Sequence, residues 1–322
     1  MSDAELDRGY DIIGDVHGCA HTLERLLEQM GYRRLNGVWQ HPRRQALFLG
    51  DIIDRGPRIR EALHLVRDMV EAGQARCIMG NHEFNAICWE TPAPPGSGRS
   101  YLREHTERHH RLIGDTLAQF DDWPQEWREF VQWFGDLPLF LDMGPFRLVH
   151  ACWDSSLIEP LRQDYPDGRI DDAFLMGSAH WGSFPAQTFD RLLRGTDMRL
   201  PHGITMTGKD GFTRAFFRTK FWEEAPETYG DVVFQPDALP EPVAEKPLTE
   251  QQKSDLMLYR PHDPLLFVGH YWQQGTPRPI RPNLACLDYS AVKYGKLVAY
   301  RWSGETRLER DHFVWVEVPQ MN

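Results

Sequence analysis

The stretch GDVHGCAHTLERLLEQMG, Gly14–Gly31, decides the fold. It follows the apolar run Tyr10-Asp11-Ile12-Ile13, and Leu23, Leu26, Leu27 and Met30 then recur at helical spacing until Gly31 stops the helix. A buried strand therefore passes through a short polar turn into a helix, with Asp15 and His17 in the turn. Two positions apart in extended chain, these side chains point to the same side and can reach one ion. Taken alone, GDVHG also describes a polar turn that happens to contain a histidine.

The unit recurs. Ala46 to Leu49 reads as a second buried strand, followed by Gly50-Asp51-Ile52-Ile53-Asp54-Arg55-Gly56 and a helix striped by Ile59, Leu63, Val66 and Val70. Cys77 to Met79 reads as a third strand, running into Gly80-Asn81-His82-Glu83 and a helix to Trp89. Phe146 to Val149 ends at His150, and Leu265 to Val268 ends at Gly269-His270. All of these polar motifs fall at the C-terminal ends of strands, the edge where open α/β sheets bind ligands. Carboxylate and imidazole together suit Mn, Fe or Zn better than Ca or Mg. Asp51 could bridge to a second ion, with Asn81, His150 and His270 completing that site. Two ions ~4 Å apart would hold a bridging hydroxide and clamp a phosphoryl group for in-line displacement.

Elsewhere, Asn36-Gly37 signals a hairpin. Pro92 to Gly98 reads as a loop, and Tyr101 to Phe134 as helix broken near Asp121-Asp122-Trp123-Pro124. Strands are expected at Leu284–Leu287, Leu297–Trp302 and Phe313–Val318. The weakly periodic stretch from about 151 to 260 reads as an inserted cap or lid on a single domain spanning 1–322. Its Pro-rich, acidic segment Gln235 to Glu250 is expected to be an exposed loop. The fold class is layered α/β.

Composition narrows the function. The chain of 322 residues is 41% hydrophobic, enough for a sizeable core. Its 36 basic against 47 acidic residues give a net charge of −11, which disfavours general nucleic-acid binding. Five scattered cysteines without a CxxC pair suggest neither a disulfide framework nor a zinc knuckle, and Cys19 reads as a small packing residue. With no signal-like start and no apolar run of membrane-spanning length, the expectation is a cytoplasmic protein that does not engage the membrane.

The order GDxHG, GDxxDRG, GNHE, His150, Gly269-His270 resembles the calcineurin-like metallophosphoesterases. The DRG extension and GNHE point to the branch of the Ser/Thr protein phosphatases and the symmetrical diadenosine tetraphosphate hydrolases. The resemblance implies a four-layer αββα sandwich of two mixed sheets flanked by helices. It implies that Asp15, His17 and Asp51 hold one divalent transition metal, and that Asp51, Asn81, His150 and His270 hold a second, with Mn²⁺ expected and Fe or Zn as alternatives. His82 would protonate the leaving oxygen, Asp54 would orient it and keep it charged, and Arg55 would grip phosphate oxygens with its planar fork.

The sequence departs from that pattern at Cys152-Trp153 after His150 and at Tyr271-Trp272 after His270, where bulky aromatics are expected to reshape the substrate wall. Trp181, Phe184, Phe212, Phe216, Phe217, Phe221 and Trp222 are expected to pack the cap's own small core, the alternative being stacking on a base or a tyrosine. Arg214, Arg218 and Lys220 form the best local basic cluster and are candidates for a second phosphate clamp, with a solvated charged face explaining them equally well. Asp288 is at best a candidate for supporting the metal ligands from behind, and a sheet hairpin around Gly295 is the favoured reading.

The expected function is hydrolysis of a phosphate ester or anhydride, with a nucleotide, polyphosphate or small phosphate ester favoured. A protein phosphatase acting on phosphoserine, phosphothreonine or phosphotyrosine is the alternative. A non-catalytic metal-binding scaffold would need neither His82 nor Arg55.

Overall fold

The computed structural model describes residues 9–207, 213–234 and 239–319. β1 (Gly9–Ile13) leads to α1 (Ala20–Gln29), and the Asn36-Gly37 hairpin pairs β2 (Arg33–Leu35) with β3 (Val38–Gln40). β4 (Arg44–Phe48) leads to α2 (Ile59–Glu71), and β5 (Ala75–Cys77) to α3 (Asn81–Glu90). α4 (Glu107–Gln119) and α5 (Pro124–Gly135) precede β6 (Phe140–Asp142) and β7 (Phe146–Val149). Three helices follow, α6 (Ser155–Asp164), α7 (Asp172–Gly177) and α8 (Phe184–Arg194). The short strands β8 (Thr196–Arg199), β9 (Met206–Thr207), β10 (Thr213–Arg214) and β11 (Phe216–Thr219) come next. The chain returns to the core in β12 (Leu265–Val268), β13 (Leu284–Cys286), β14 (Asp288–Tyr289), β15 (Lys296–Trp302) and β16 (Phe313–Glu317).

Two mixed sheets form the centre. In the first, β1, β4 and β5 run parallel, while β15 pairs antiparallel with β1, β14 and β16. In the second, β12 lies parallel between β7 and β13, and β6 pairs antiparallel with β7. Strand alternation sorts the side chains between layers. Tyr10 and Ile12 of β1, Leu47 of β4, Phe146 and Leu148 of β7 and Phe267 of β12 share one buried cluster between the sheets. Ile13, Ala46 and Phe48 turn the other way and pack with Leu23, Leu26, Leu63 and Val66 of α1 and α2. Val149, Leu266 and Val268 likewise meet Ile158, Leu161, Phe189 and Leu192 of α6 and α8. The result is the four-layer αββα sandwich expected from the sequence.

Helix does not begin at Tyr101. Tyr101 bridges back to Pro92, His105 stacks between Trp89 and Tyr101, and Thr106 caps α4 by accepting a bond from His109 N. Aromatic stacking fixes this segment as an extended entry, so the helical composition of the stretch takes effect only from Glu107.

The segment after β7 has two parts. Phe174, Leu175, Phe189, Leu192 and Leu193 of α7 and α8 belong to the main core. Leu200, Phe217, Tyr229, Val232, Leu239, Val243 and Leu248 form a separate small cluster. The last three fall in the stretch read as an exposed loop. Short helices at Glu241–Ala244 and Glu250–Asp255 carry that segment over the cluster, so the described part of Gln235–Glu250 is anchored by apolar burial. Among the described residues no helix is long and apolar enough to cross a membrane.

Candidate metal centre

The parallel strands end at one edge, and the loops leaving them are laced together. Asp51 O accepts from the main-chain N–H groups of Val16 and His17, and Ile52 O accepts from Gly18 N, tying the first two motif turns to each other. Gly269 N donates to His150 O. His17, Asp51, Asp54, Arg55 and His270 all have positive φ, between 43° and 69°. Such left-handed conformations are costly for residues other than glycine and persist where surrounding contacts enforce them. Here they turn five polar side chains away from the strand directions and into the site. Gly269 is required for a different reason: a Cβ there would stand 2.1 Å from Asp15 Oδ1.

Asp51 is the centre of the arrangement. Its Oδ2 lies 3.3 Å from His150 Nε2, 3.6 Å from His17 Nε2 and 3.8 Å from His82 Nε2. Its Oδ1 accepts from His82 N at 3.0 Å. His150 Nε2 is also 3.0 Å from Asn81 Oδ1. The rings are oriented from behind: His17 Nδ1 donates to Ile53 O at 2.8 Å and His150 Nδ1 to Leu49 O at 2.7 Å. That tautomer leaves each Nε2 with its lone pair toward Asp51, the orientation a metal-binding imidazole needs.

Donor atoms of His17, Asp51 and His82 lie within 4.8 Å of one another, and so do those of Asp51, His150 and His270. Asp15 belongs to neither group but stands beside the second, its Oδ2 accepting from His270 N at 3.2 Å. Asp15 Oδ1 and His270 Nε2 are buried with no hydrogen-bond partner. Buried polar atoms are nearly always satisfied, so a pocket of converging lone pairs with two orphans fits a cation.

The electrostatics agree. Burial raises the Asp15 carboxyl well above its ordinary range, and the neighbouring Asp288 and Asp51 push it further. Burial likewise raises Asp288. Burial also opposes ionisation of Asp51, but His150 and His82 outweigh it and hold Asp51 well below the usual carboxylate range. Burial alone would lower His150, yet attraction to Asp51 lifts it to about 10. In the bare protein a proton is the simplest cation to place between that pair, and a divalent ion would displace it. Burial, then His82 and Arg55, push His17 well below its normal value, and burial with Arg218 does the same to His270, leaving both as neutral ligands.

His82 stands apart in its second bond. Its Nδ1 is 2.5 Å from Asp54 Oδ2, and the other Asp54 oxygen accepts from Thr116 Oγ1 of α4. Thr116 Oγ1 in turn accepts from Asp54 N at 3.1 Å. This ties Asp54, and through it the imidazole, to a helix 62 residues away in sequence.

Glu83 was visible in the sequence only as a motif letter. Fully buried, its carboxylate accepts from Asp51 N and Ile52 N at 2.8 Å each and from Gly80 N at 3.0 Å. Glu83→Ala would strand these main-chain donors in the interior, at a cost of about 1–3 kcal/mol for each unsatisfied group. The expected result is a loss of about 3 kcal/mol or more in denaturant unfolding, with a smaller loss for Glu83→Gln. Wild-type stability in the alanine variant would disprove the assignment.

A cleft of about 560 Å³ opens above these residues. Asp15, His17, Asp51, Asn81, His82 and His270 line its floor, whereas His150 lies fully buried beneath. Arg55, Arg214 and Arg218 line it too, together with Asp288. Arg218 sits 5.7 Å over the Tyr271 ring. Lys220 pairs with Glu223 at 3.4 Å and does not join the lining. The expected aromatic wall is only partly present. Trp153 and Tyr271 turn into the core, Trp153 under the Arg147 guanidinium and Tyr271 with its hydroxyl accepting from Thr196 N. Trp272, Phe216 and Phe217 do reach the cleft, Phe216 half-exposed. Phe221 is buried in the main core, Trp222 packs against it, Trp181 is 96% exposed, and Phe212 lies outside the described residues. All five cysteines are buried and unpaired.

A cluster of acceptor side chains at the strand ends of an αββα sandwich could hold metal ions. A family model for the calcineurin-like phosphoesterases matches residues 10–271, and the chain belongs to that family. Among curated relatives it is similar to asymmetrical bis(5'-nucleosyl)-tetraphosphatase PrpE of three bacteria. Identity is 51% over 73 residues in Oceanobacillus iheyensis, covering 22% of this chain and 29% of the relative. For Bacillus thuringiensis it is 41% over 165 residues, covering 48% and 59%, and for Anoxybacillus flavithermus 31% over 150 residues, covering 44% and 56%. The alignments thus span less than two thirds of these relatives. Among solved structures, a Saccharomyces cerevisiae Ser/Thr phosphatase with similarity to human PP5 has a TM-score of 0.50 at 14% identity, covering 99% of this chain and 83% of that one. At that identity the likeness is one of fold.

Proposed function

We propose that this chain is a dimetal-dependent phosphoesterase acting on a nucleotide, polyphosphate or small phosphate ester in a cytoplasmic, reducing setting. The observation that carries the reading is the convergence of buried, partnerless Asp15 Oδ1 and His270 Nε2 on the Asp51 cluster. Asp15, His17 and Asp51 would hold one divalent cation, and Asp51, Asn81, His150 and His270 the other, with Mn²⁺ the preferred occupant. Cations held there would supply charge that acidifies water and offsets the phosphoryl oxygens.

The chain's own residues supply the rest. Arg55, whose guanidinium is 3.5 Å from His17 Nε2, binds the scissile phosphoryl group from one side of the cleft. Arg218 and Arg214 bind it from the other, carried by a lid that begins at β8 and rests on its own small core. His82 holds a proton at Nε2 for the departing oxygen, while Asp54 and Thr116 fix the ring. The PrpE relatives favour a nucleotide anhydride over a phosphoprotein.

Treatment with EDTA should abolish hydrolysis of 4-nitrophenyl phosphate, and added Mn²⁺ should restore it. A panel of dinucleoside polyphosphates and phosphopeptides then separates the substrate classes, with nucleotide products expected. Turnover that survives chelation, or protein that carries no transition metal by mass spectrometry, would defeat the proposal.

A further inference from the structure

On the proposed reading, the leaving group departs on the His82 side. The lining there holds Arg108 and Arg194, with the carboxylates of Asp190 and Asp197 beside them. Asn85 follows His82 by three positions in α3, so both occupy the same helical face, with Asn85 about one turn further along the helix. Asn85, Arg194 and Arg108 all line the cleft that contains Asp51 and His82. Arg194 comes from the last turn of α8 and Arg108 from the first turn of α4, so separate elements bring these cations to one wall.

Arg194 is held in place. Its Nη2 donates to Asn85 Oδ1 at 2.9 Å, and its guanidinium lies 5.7 Å from the Phe84 ring. Asp190 is its ion-pair partner at 3.4 Å, but both side chains are more than a third exposed, and such pairs contribute little. The α8 C-terminus would explain a basic residue in the last turn, because the helix dipole favours one there. It does not explain a guanidinium fastened to the catalytic helix by a neutral amide. The amide orients the fork through Nη2 and adds no charge to that of the exposed Asp190 at Nη1.

We infer that Asn85, Arg194 and Arg108 form an anion subsite for the leaving group, selecting substrates whose departing portion carries phosphate. The scissile phosphoryl group would lie between Arg55 and Arg218, with the next phosphate along the chain meeting Arg194 and Arg108. In hydrolysis of inorganic triphosphate, the water oxygen bonds to a terminal phosphorus and the bridging P–O bond breaks. The bridging oxygen leaves on pyrophosphate with the electron pair and takes a proton from His82, and the surplus proton of water returns through solvent. The two guanidinium groups neutralise charge growing on that departing phosphate.

The test compares kcat/KM for inorganic triphosphate and for 4-nitrophenyl phosphate, whose leaving group bears no phosphate, with Mn²⁺ present. In Arg194→Gln and in Arg108→Gln, the triphosphate-to-aryl ratio should fall about tenfold, the worth of one charge-assisted hydrogen bond. An unchanged ratio, including parallel losses on both substrates, overturns the subsite while leaving phosphoesterase activity in place. Wild-type protein inactive on both substrates overturns the phosphoesterase reading and the subsite with it. Arg108 is exposed, so its variant gives the answer even if Arg194→Gln unfolds.

Discussion

Asp51→Asn should reduce phosphoesterase activity by about 10³-fold or more, corresponding to several kcal/mol of lost charge stabilisation. The change removes one negative charge and almost no volume. Asp51 Oδ2 faces the Nε2 atoms of His17, His82 and His150 within 3.3–3.8 Å, so it is placed to serve both halves of the proposed site. An asparagine would keep a carbonyl for His82 N and turn its amide toward the histidine lone pairs. That amide would donate where the carboxylate required a cation. The metal-free variant should melt below metal-free wild type, because the protonated His150, 3.3 Å from Asp51 in the bare protein, loses its carboxylate partner. Metal analysis should find the variant with at most one ion. Two bound ions with more than a tenth of wild-type activity would contradict the bridging role proposed for Asp51.

Asp51 illustrates what the sequence can reveal. Its motif, like those around Asp15, Asn81, His150 and His270, stands where an apolar strand ends, and strand ends in an α/β sheet converge on one edge. Residue type and position were enough to assemble these side chains without knowing any distance. Thr116 and Arg194 were illegible for the opposite reason. Thr116 lies in a charged helix with no motif, and only folding brings it to Asp54. Arg194 follows a stretch whose helices showed weak periodicity, although α8 packs Leu192 and Leu193 into the main core. Adjacency in sequence to His150 and His270 does not bring Trp153 and Tyr271 to the cleft. The chain direction after His150 and His270 instead sends those rings inward. Cap residues followed neither rule, since Leu239, Val243 and Leu248 find their burial in a small separate core.

His82→Ala should lower turnover of alkyl phosphates about 10²–10⁴-fold, the usual span for a general acid, while activated aryl esters lose far less. The alternative role is built into the same geometry, because the His82 donor atom lies within 4.8 Å of those of His17 and Asp51. An imidazole backed by a carboxylate is also a common metal ligand. Two features favour proton donation. The Asp54 bond occupies His82 Nδ1, and Thr116 holds Asp54 through its second oxygen, so the ring is fixed without help from a cation. Asp15, by contrast, has a buried oxygen with no partner at all and is the group left needing an ion. The two roles separate on metal content and leaving-group dependence. A proton donor leaves the bound metal at wild-type level in His82→Ala and steepens the dependence of rate on leaving-group basicity. A ligand lowers metal content and slows alkyl and aryl esters alike. Asp54→Asn should reproduce the proton-donor pattern more weakly, since it leaves the imidazole in place but removes the carboxylate that orients it.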